Sequence, residues 1–321
     1  MSTPTMQEQL KNQGFVVIRQ LLSNQEVDFY LNKLAERSGI TKANFKAPGA
    51  GRGFDQKGRQ ASWNLPDGVS KSRDFWPLIY NERLISTVRE LLGPDIRFLQ
   101  HTDLHVGLSA VAWHRDSVNR KFGLGPDWDE SQAPYKIVRV GLYLQSHAES
   151  SFKLGFIKGS HRPETNITLG RRLSETQITW MGALSYLSPK AQMWAANAEW
   201  IATEPGDGII FDPRTLHSGS YIIGPKYSMF VAYSIENVHF YHHQHYYRHL
   251  RPELNYGDLD PELIQTLKAQ GLYLDQSPVY THIEGAWTPA PMLKSLLAKR
   301  IKAGEQGVVR ICRPSIHRTK S

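Results

Sequence analysis

Between Ile96 and Asn237 the chain is written in short runs with apolar residues at every second position, broken by turns rich in glycine and proline. Val138, Val140, Leu142 and Leu144 alternate with Ile137, Arg139, Gly141, Tyr143 and Gln145. Successive side chains of a strand project to opposite faces, so this run reads as one strand with two different faces. Gly208-Ile209-Ile210-Phe211 follows the turn Pro205-Gly206-Asp207, and Phe230-Val231-Ala232-Tyr233 reads as another strand. Many short strands without regular intervening helices favour an antiparallel sandwich or jelly roll over a parallel α/β sheet.

Helices flank this core. Gly14-Phe15-Val16-Val17-Ile18 is a short β-type run, and Ser23 and Glu26 have the spacing of a capping box. Val27, Tyr30, Leu31 and Leu34 then recur at helical spacing, and Leu84, Ile85, Val88, Leu91 and Leu92 repeat that pattern before Gly93-Pro94. Lys46 to Asp74 has no periodicity and reads as a long loop; its Gly49, Gly51 and Gly53 do not make a dinucleotide fingerprint, because no strand precedes them. Weak helical patterns occupy Pro261 to Gln270 and Pro291 to Lys302. The expectation is a mainly β fold with α additions in a single domain over 1–321: helices and loop in 1–95, strand core in 96–238, and a C-terminal extension with a basic tail in 239–321.

The formal charge of +8 is concentrated at one end. Lys294 to Ser321 holds eight basic residues and one acidic one. No helix-turn-helix, zinc-finger or RNA-binding pattern accompanies this tail, so it reads as a solvated terminus or an aid to holding an anionic substrate, and no nucleic-acid partner is expected. No apolar run reaches membrane-spanning length and the first fifteen residues do not read as a signal peptide, so no membrane association and a cytoplasmic location are expected. With Cys312 the only cysteine against thirteen histidines, a metal site would have to use imidazoles and carboxylates.

Two His-x-Asp triplets offer that chemistry, His101-Thr102-Asp103 and His114-Arg115-Asp116. Residues two apart on a strand share a face, so either triplet could bring an imidazole and a carboxylate to one metal. A distant third ligand would complete a facial triad, which suits Fe(II) and leaves three positions open. Only the second triplet stands in a telling context: it follows Trp113, and far downstream Pro205-Gly206-Asp207 leads through a strand to His217-Ser218-Gly219-Ser220.

The ordered set of Gly14 to Val27, Trp113 to Asp116, Gly159-Ser160-His161 and Pro205 to His217 resembles the phytanoyl-CoA dioxygenase-like branch of the Fe(II)/2-oxoglutarate oxygenases, over roughly residues 5 to 237. The resemblance implies a double-stranded β-helix, the cupin-like jelly roll, with Fe(II), 2-oxoglutarate as cosubstrate and O2. It implies His114, Asp116 and His217 as iron ligands and catalytic centre. His101 and Asp103 share a face with His105 and would line the pocket beside the metal or serve only the structure; Gln100 and Leu104 face the other way.

The family pattern supplies an Arg on the strand after the distal His to hold the cosubstrate carboxylate, whereas the matching residue here is Lys226. A Lys neutralises a carboxylate as a point charge but cannot form the two-pronged pair of Arg. Arg139, on one strand with Tyr143, is the other candidate, and Ser218 or Ser220 could add a hydroxyl. Trp63, with Trp76 and Trp128, could border the substrate or simply pack. His239 to His249 could form a lid over the barrel mouth or a homodimer contact; a second metal at His242, His245 and His249 is disfavoured by the lack of a carboxylate on that face.

The implied activity is hydroxylation of a C–H bond in a small-molecule metabolite, in natural-product biosynthesis, because Asp116 fills the carboxylate position. Desaturation, ring closure and epimerisation depend on substrate pose and stay open. An acyl-CoA substrate, a jelly-roll binding protein without turnover, and an iron oxygenase using no 2-oxo acid are the competing readings.

Overall fold

The computed structural model describes residues 3–46, 62–107, 113–163 and 198–275, together with Met193, Ile283, Ala286 and Trp287. All of them fall in Met1–Trp287, one of the two units into which the chain divides. Gly49, Gly51, Gly53, the helical pattern at 291–302, Cys312 and the basic tail lie outside the described residues.

Helix α1 (Met6–Gln13) runs into β1 (Phe15–Ile18), and α2 (Asn24–Ser38) follows with the expected capping box between Ser23 and Glu26. Strand β2 (Trp63–Pro66), the single turn α3 (Trp76–Ile79), α4 (Glu82–Leu92) and β3 (Ile96–Val106) come next. Then come β4 (Ile137–Tyr143), the short α5 (His147–Ser150), β5 (Lys153–Ile157), β6 (Ala198–Ala202), β7 (Gly208–Phe211), β8 (His217–Gly219) and β9 (Tyr227–Ile235). Helices α6 (Val238–His245) and α7 (Pro261–Ala269) close the described chain.

The strands form two antiparallel sheets, one in the order β1-β7-β4-β9-β3-β2 and one in the order β6-β5-β8. The alternation read in β4 sorts its neighbours. Val138, Val140 and Leu142 join Met229, Val231 and Tyr233 in a core that also holds Val27, Tyr30 and Leu34 of α2 and Leu84, Val88 and Leu91 of α4. The opposite face brings Tyr143, Ile209, Phe211 and Phe230 of the large sheet against Phe152, Leu154, Phe156 and Ile201 of the small one. This layering of helices, large sheet and small sheet is the antiparallel jelly-roll architecture, and Asp103 and His105 of β3, Arg139 of β4 and Ser228 of β9 share the face of the large sheet that carries Phe230. Strands β1 and β2 add to the large sheet, so it draws on residues before Ile96 as well. A register shift in β3 between Leu99 and Asp103 bulges that strand, the irregularity by which a sheet re-aims side chains next to a site.

Candidate metal centre

An isolated antiparallel bridge ties His114 to His217 of β8 in the small sheet. Each backbone N–H donates to the other's carbonyl, at 3.1 and 3.0 Å, so residues 103 positions apart are registered directly across from each other. Asp116 is fixed one step further on: its N–H donates to Pro213 O at 2.8 Å, and its carbonyl accepts from Tyr247 Oη at 3.1 Å.

Three scattered stretches brace the turn before His217. The Gly14 carbonyl accepts from Asp212 N at 2.9 Å and from Thr215 Oγ1 at 3.2 Å. Gly14 caps α1 with φ of 88°, and a Cβ there would lie 2.2 Å from Thr215 Oγ1, so glycine is required twice over. Ser160 Oγ accepts from Leu216 N at 2.8 Å, while Arg115, between the two ligand candidates, points away and donates to the carbonyls of Arg214 and Ser160.

The ligand-type atoms of His114, Asp116 and His217 all lie within 4.8 Å of one another, and this is the only group of three or more such residues among the described residues. Asp116 Oδ1 is 3.5 Å from His114 Nε2, and Oδ2 is 3.4 Å from His217 Nε2. His217 Nδ1 lies 2.9 Å from the Thr215 carbonyl oxygen, which can only accept, so Nδ1 carries a proton and Nε2 is the ring nitrogen turned toward Asp116. Burial pushes the Asp116 carboxyl up, yet the His217 and His114 rings outweigh burial and hold it well below the usual carboxylate range. The residues therefore fit a divalent metal, as a two-imidazole, one-carboxylate set with its imidazole tautomer fixed from behind.

The first His-x-Asp triplet is placed beside this centre with other partners. Asp103 and Asp116 both accept from Arg139, one on each terminal nitrogen of the guanidinium. His101 Nδ1 is 2.9 Å from His243 Nε2, and the His101 ring stacks on Tyr247 at 3.8 Å. Burial pushes His243 down to about 3 and His101 well below its usual value, so both are neutral rings in the wall of the site. Gln100 and Leu104 face away as expected, Gln100 donating to Asp67 and Leu104 entering the helix-side core.

Lys226 projects from the chain just before β9, on the same parity as Ser228 and Phe230. It is 4% exposed, its Nζ lies 4.4 Å from the Phe152 ring, and its ammonium makes no hydrogen bond or ion pair among the described residues. Ser228 pairs across the sheet with Tyr143 on one side and His105 on the other. Ser228 Oγ and Tyr143 Oη are both buried without a hydrogen-bond partner. A cation, two unsatisfied hydroxyls and an imidazole thus share one inner patch, which is a carboxylate-shaped set of donors. Burial and the nearby Lys226 push His105 down to about 3.

Other expected site residues serve different ends. Ser220 Oγ accepts from Lys153 N at 2.8 Å and faces backbone carbonyls, so it ties β8 to β5. Ser218 lies on the opposite face of β8 from His217. Trp63 packs with the helix-side cluster, because its pairing with Val106 puts it on the face opposite His105. Trp76 is buried there too, donating to Ser70 O at 2.7 Å. In the His/Tyr stretch, His243 and Tyr247 enter the site while His245 and His249 pair with each other at 4.9 Å. Ser228, two residues past Lys226 on the same strand face, was legible by alternation but not singled out; Tyr247 carries no such signal, since a π-helical turn at Tyr246–Leu250 sets its direction.

The family model described as phytanoyl-CoA dioxygenase (PhyH) matches residues 10–227. A search of curated protein sequences gives no match. Among solved structures, similarity extends to the non-heme alpha ketoglutarate dependent epimerase SnoN from nogalamycin biosynthesis, at 15% identity over 72% of this chain and 81% of that one, with a TM-score of 0.46. HygX from Streptomyces hygroscopicus with nickel and 2-oxoglutarate bound gives 15%, 72% and 88%, with 0.48. EctD from S. alaskensis with 2-oxoglutarate and 5-hydroxyectoine gives 17%, 71% and 74%, with 0.46.

Proposed function

Because the chain belongs to the phytanoyl-CoA dioxygenase (PhyH) family, and is thus a non-haem enzyme dependent on Fe(II), 2-oxoglutarate and O2, we propose that His114, Asp116 and His217 hold its iron and that it hydroxylates a C–H bond of a small-molecule metabolite. The observation that carries this reading is the His114–His217 backbone bridge, with Asp116 facing the Nε2 atoms of both rings and His217 Nδ1 held from behind by the Thr215 carbonyl. Iron with 2-oxoglutarate and O2 supplies an oxidant strong enough to take hydrogen from an unactivated C–H bond, with succinate and carbon dioxide released.

The protein's part is placement and exclusion of water. Lys226 Nζ neutralises the distal carboxylate of 2-oxoglutarate, with Ser228 Oγ and Tyr143 Oη donating to it, because these polar groups are buried on the inner face without other partners. Phe152, Phe156, Phe211 and Phe230 form the apolar walls around that axis. His101 and Tyr247, stacked on each other beside Asp116, offer an aromatic surface suited to an uncharged stretch of substrate. No helix among the described residues is long and apolar enough to cross a membrane.

Anaerobic addition of Fe(II) and 2-oxoglutarate should give the visible metal-to-ligand charge-transfer band, and air should then release succinate. His114→Ala and His217→Ala should lose the band, whereas His101→Ala should keep it. A band that survives His217→Ala refutes the ligand assignment. Metabolite fractions that raise succinate output above the substrate-free rate would then identify the substrate.

A further inference from the structure

We propose that Arg139, anchored by Asp103, is a positioning residue that clamps one oxygen of Asp116 and so presents the other oxygen alone to the metal. The inference rests on the reading of Asp116 as a ligand, and it assigns Arg139 to the metal's carboxylate instead of the cosubstrate's.

Arg139 lies on the inner face of β4 and is buried, and both carboxylates it meets are buried as well. Its Nη1 donates to Asp116 Oδ2 and its Nη2 to Asp103 Oδ2. The guanidinium is planar, so fixing Nη2 on Asp103 fixes where Nη1 points. Its Cζ sits 4.7 Å from the Phe230 ring, a second restraint on the plane. Gly141 makes room for that ring: a Cβ at that position would lie 2.8 Å from Phe230 Cε1.

Hydrogen bonding alone does not explain the pose, because Arg139 Nε remains buried without a partner. Charge alone does not explain it either. A lone guanidinium beside a divalent cation would repel it, and Asp103 cancels that charge while leaving the donor in place. What remains is direction. A carboxylate without such a clamp can turn and bind a metal through both oxygens, occupying one of the positions that a facial triad leaves open. With Oδ2 committed to Nη1, Oδ1 is the oxygen left to the metal. Orientation of a ligating carboxylate by an outer hydrogen-bond partner has a known scale, about 10–100-fold in metal affinity.

The test uses Co(II) on the full-length protein, with affinity read by chelator competition and geometry by the visible absorption spectrum. The double variant Asp103→Asn with Arg139→Gln removes one charge of each sign, so the net charge is kept and only the clamp is lost. Its Co(II) affinity should fall about 10–100-fold and its visible bands should shift, with far-UV circular dichroism unchanged. Arg139→Lys keeps the charge but offers a point cation to two carboxylates, and should lose about tenfold with the same direction of band shift. It also decides the matter if the neutral pair does not fold. Parental affinity and parental bands in whichever of these variants folds overturn the proposal. His217→Ala is the separate control: if it still binds Co(II) like the parent, the ligand assignment itself fails, whatever the Arg139 variants do.

Discussion

Binding of 2-oxoglutarate is expected to carry a proton into the protein, and Lys226 is where it lands. Burial pushes the Lys226 ammonium down to about 7, with no hydrogen bond or ion pair among the described residues to offset it. At pH 8 only about a tenth of the unliganded protein carries the charge, and at pH 6 about nine-tenths does. A dianion beside Nζ favours the charged form and raises its pKa again, so the complex keeps the proton across this window. Uptake should therefore be about 0.9 proton per site at pH 8 and about 0.1 at pH 6. The sign follows directly: the complex binds more protons than the unliganded protein, so affinity is highest below pH 7 and weakens about tenfold per unit above it. His105, held near 3, is silent over this range. Calorimetric titration of 2-oxoglutarate into Mn(II)-loaded protein at pH 8, in two buffers of different ionisation enthalpy, measures the uptake. Lys226→Met should lose the uptake and about 10–100-fold in affinity, the scale of a charge-assisted hydrogen bond of about 1.5–3 kcal/mol. Lys226→Arg stays charged at every pH and should flatten the profile, although its longer planar head fits a lysine-shaped site imperfectly. Equal apparent enthalpies in the two buffers, or an unchanged pH profile in Lys226→Met, would refute the placement of the carboxylate on Lys226.

Ser228→Ala should leave Co(II) affinity and denaturant stability at the parental level or slightly above, because the hydroxyl it removes is buried without a partner, while 2-oxoglutarate affinity falls about 5- to 10-fold, as for one hydrogen bond of about 1 kcal/mol. Chemical denaturation and the same calorimetric titration read the two effects separately. Tyr247→Phe removes only the donor to the Asp116 carbonyl and should lower stability by about 0.5–1.5 kcal/mol in urea unfolding, with the metal still bound.

What the sequence made legible was set by the range of the physics involved. Alternation is local, and in β4 it correctly divided Val138, Val140 and Leu142 from Arg139, Gly141 and Tyr143. The capping box at Ser23 and the helical spacing of Leu84 to Leu92 are local in the same way, and both helices formed where those patterns stand. Partners are not local. Alternation put Arg139 on the inner face but could not say that two carboxylates, Asp103 of β3 and Asp116 of the segment bridged to β8, would converge on it. Trp63 shows the same gap from the other side: an aromatic in an aperiodic segment looked available to a substrate, and pairing with Val106 turned it into the helix-side core. The His/Tyr stretch was misleading because a regular helical wheel groups His242, His245 and His249, whereas burial drew in His243 and the π-helical turn drew in Tyr247.

The motif fragments spread over two hundred residues become a single device once their hydrogen bonds are traced. The Gly-aromatic-aliphatic run at residue 14 touches no candidate ligand, yet its carbonyl takes the N–H of Asp212 and the hydroxyl of Thr215, whose own carbonyl fixes the His217 ring. The Gly-Ser-His turn likewise contributes Ser160 to Leu216 N, and receives Arg115 from the other ligand stretch. Asp207 of the Pro-Gly-Asp turn accepts from Arg19 and from the Gln20 N–H, which closes β7 against the segment after β1. Gly206 in that turn has φ of 87° and approaches the Leu22 carbonyl so closely that a Cβ would stand 2.6 Å from it. Each fragment therefore constrains the short stretch from Asp207 to His217 from a different direction. A metal ligand displaced by 1 Å is a poor ligand, and a three-residue strand such as β8 cannot hold His217 by its own ladder. The order of the fragments along the chain follows from the topology, because a fold that returns β7 between β1 and β4 and then sets β8 beside β5 lets all of them reach the same turn.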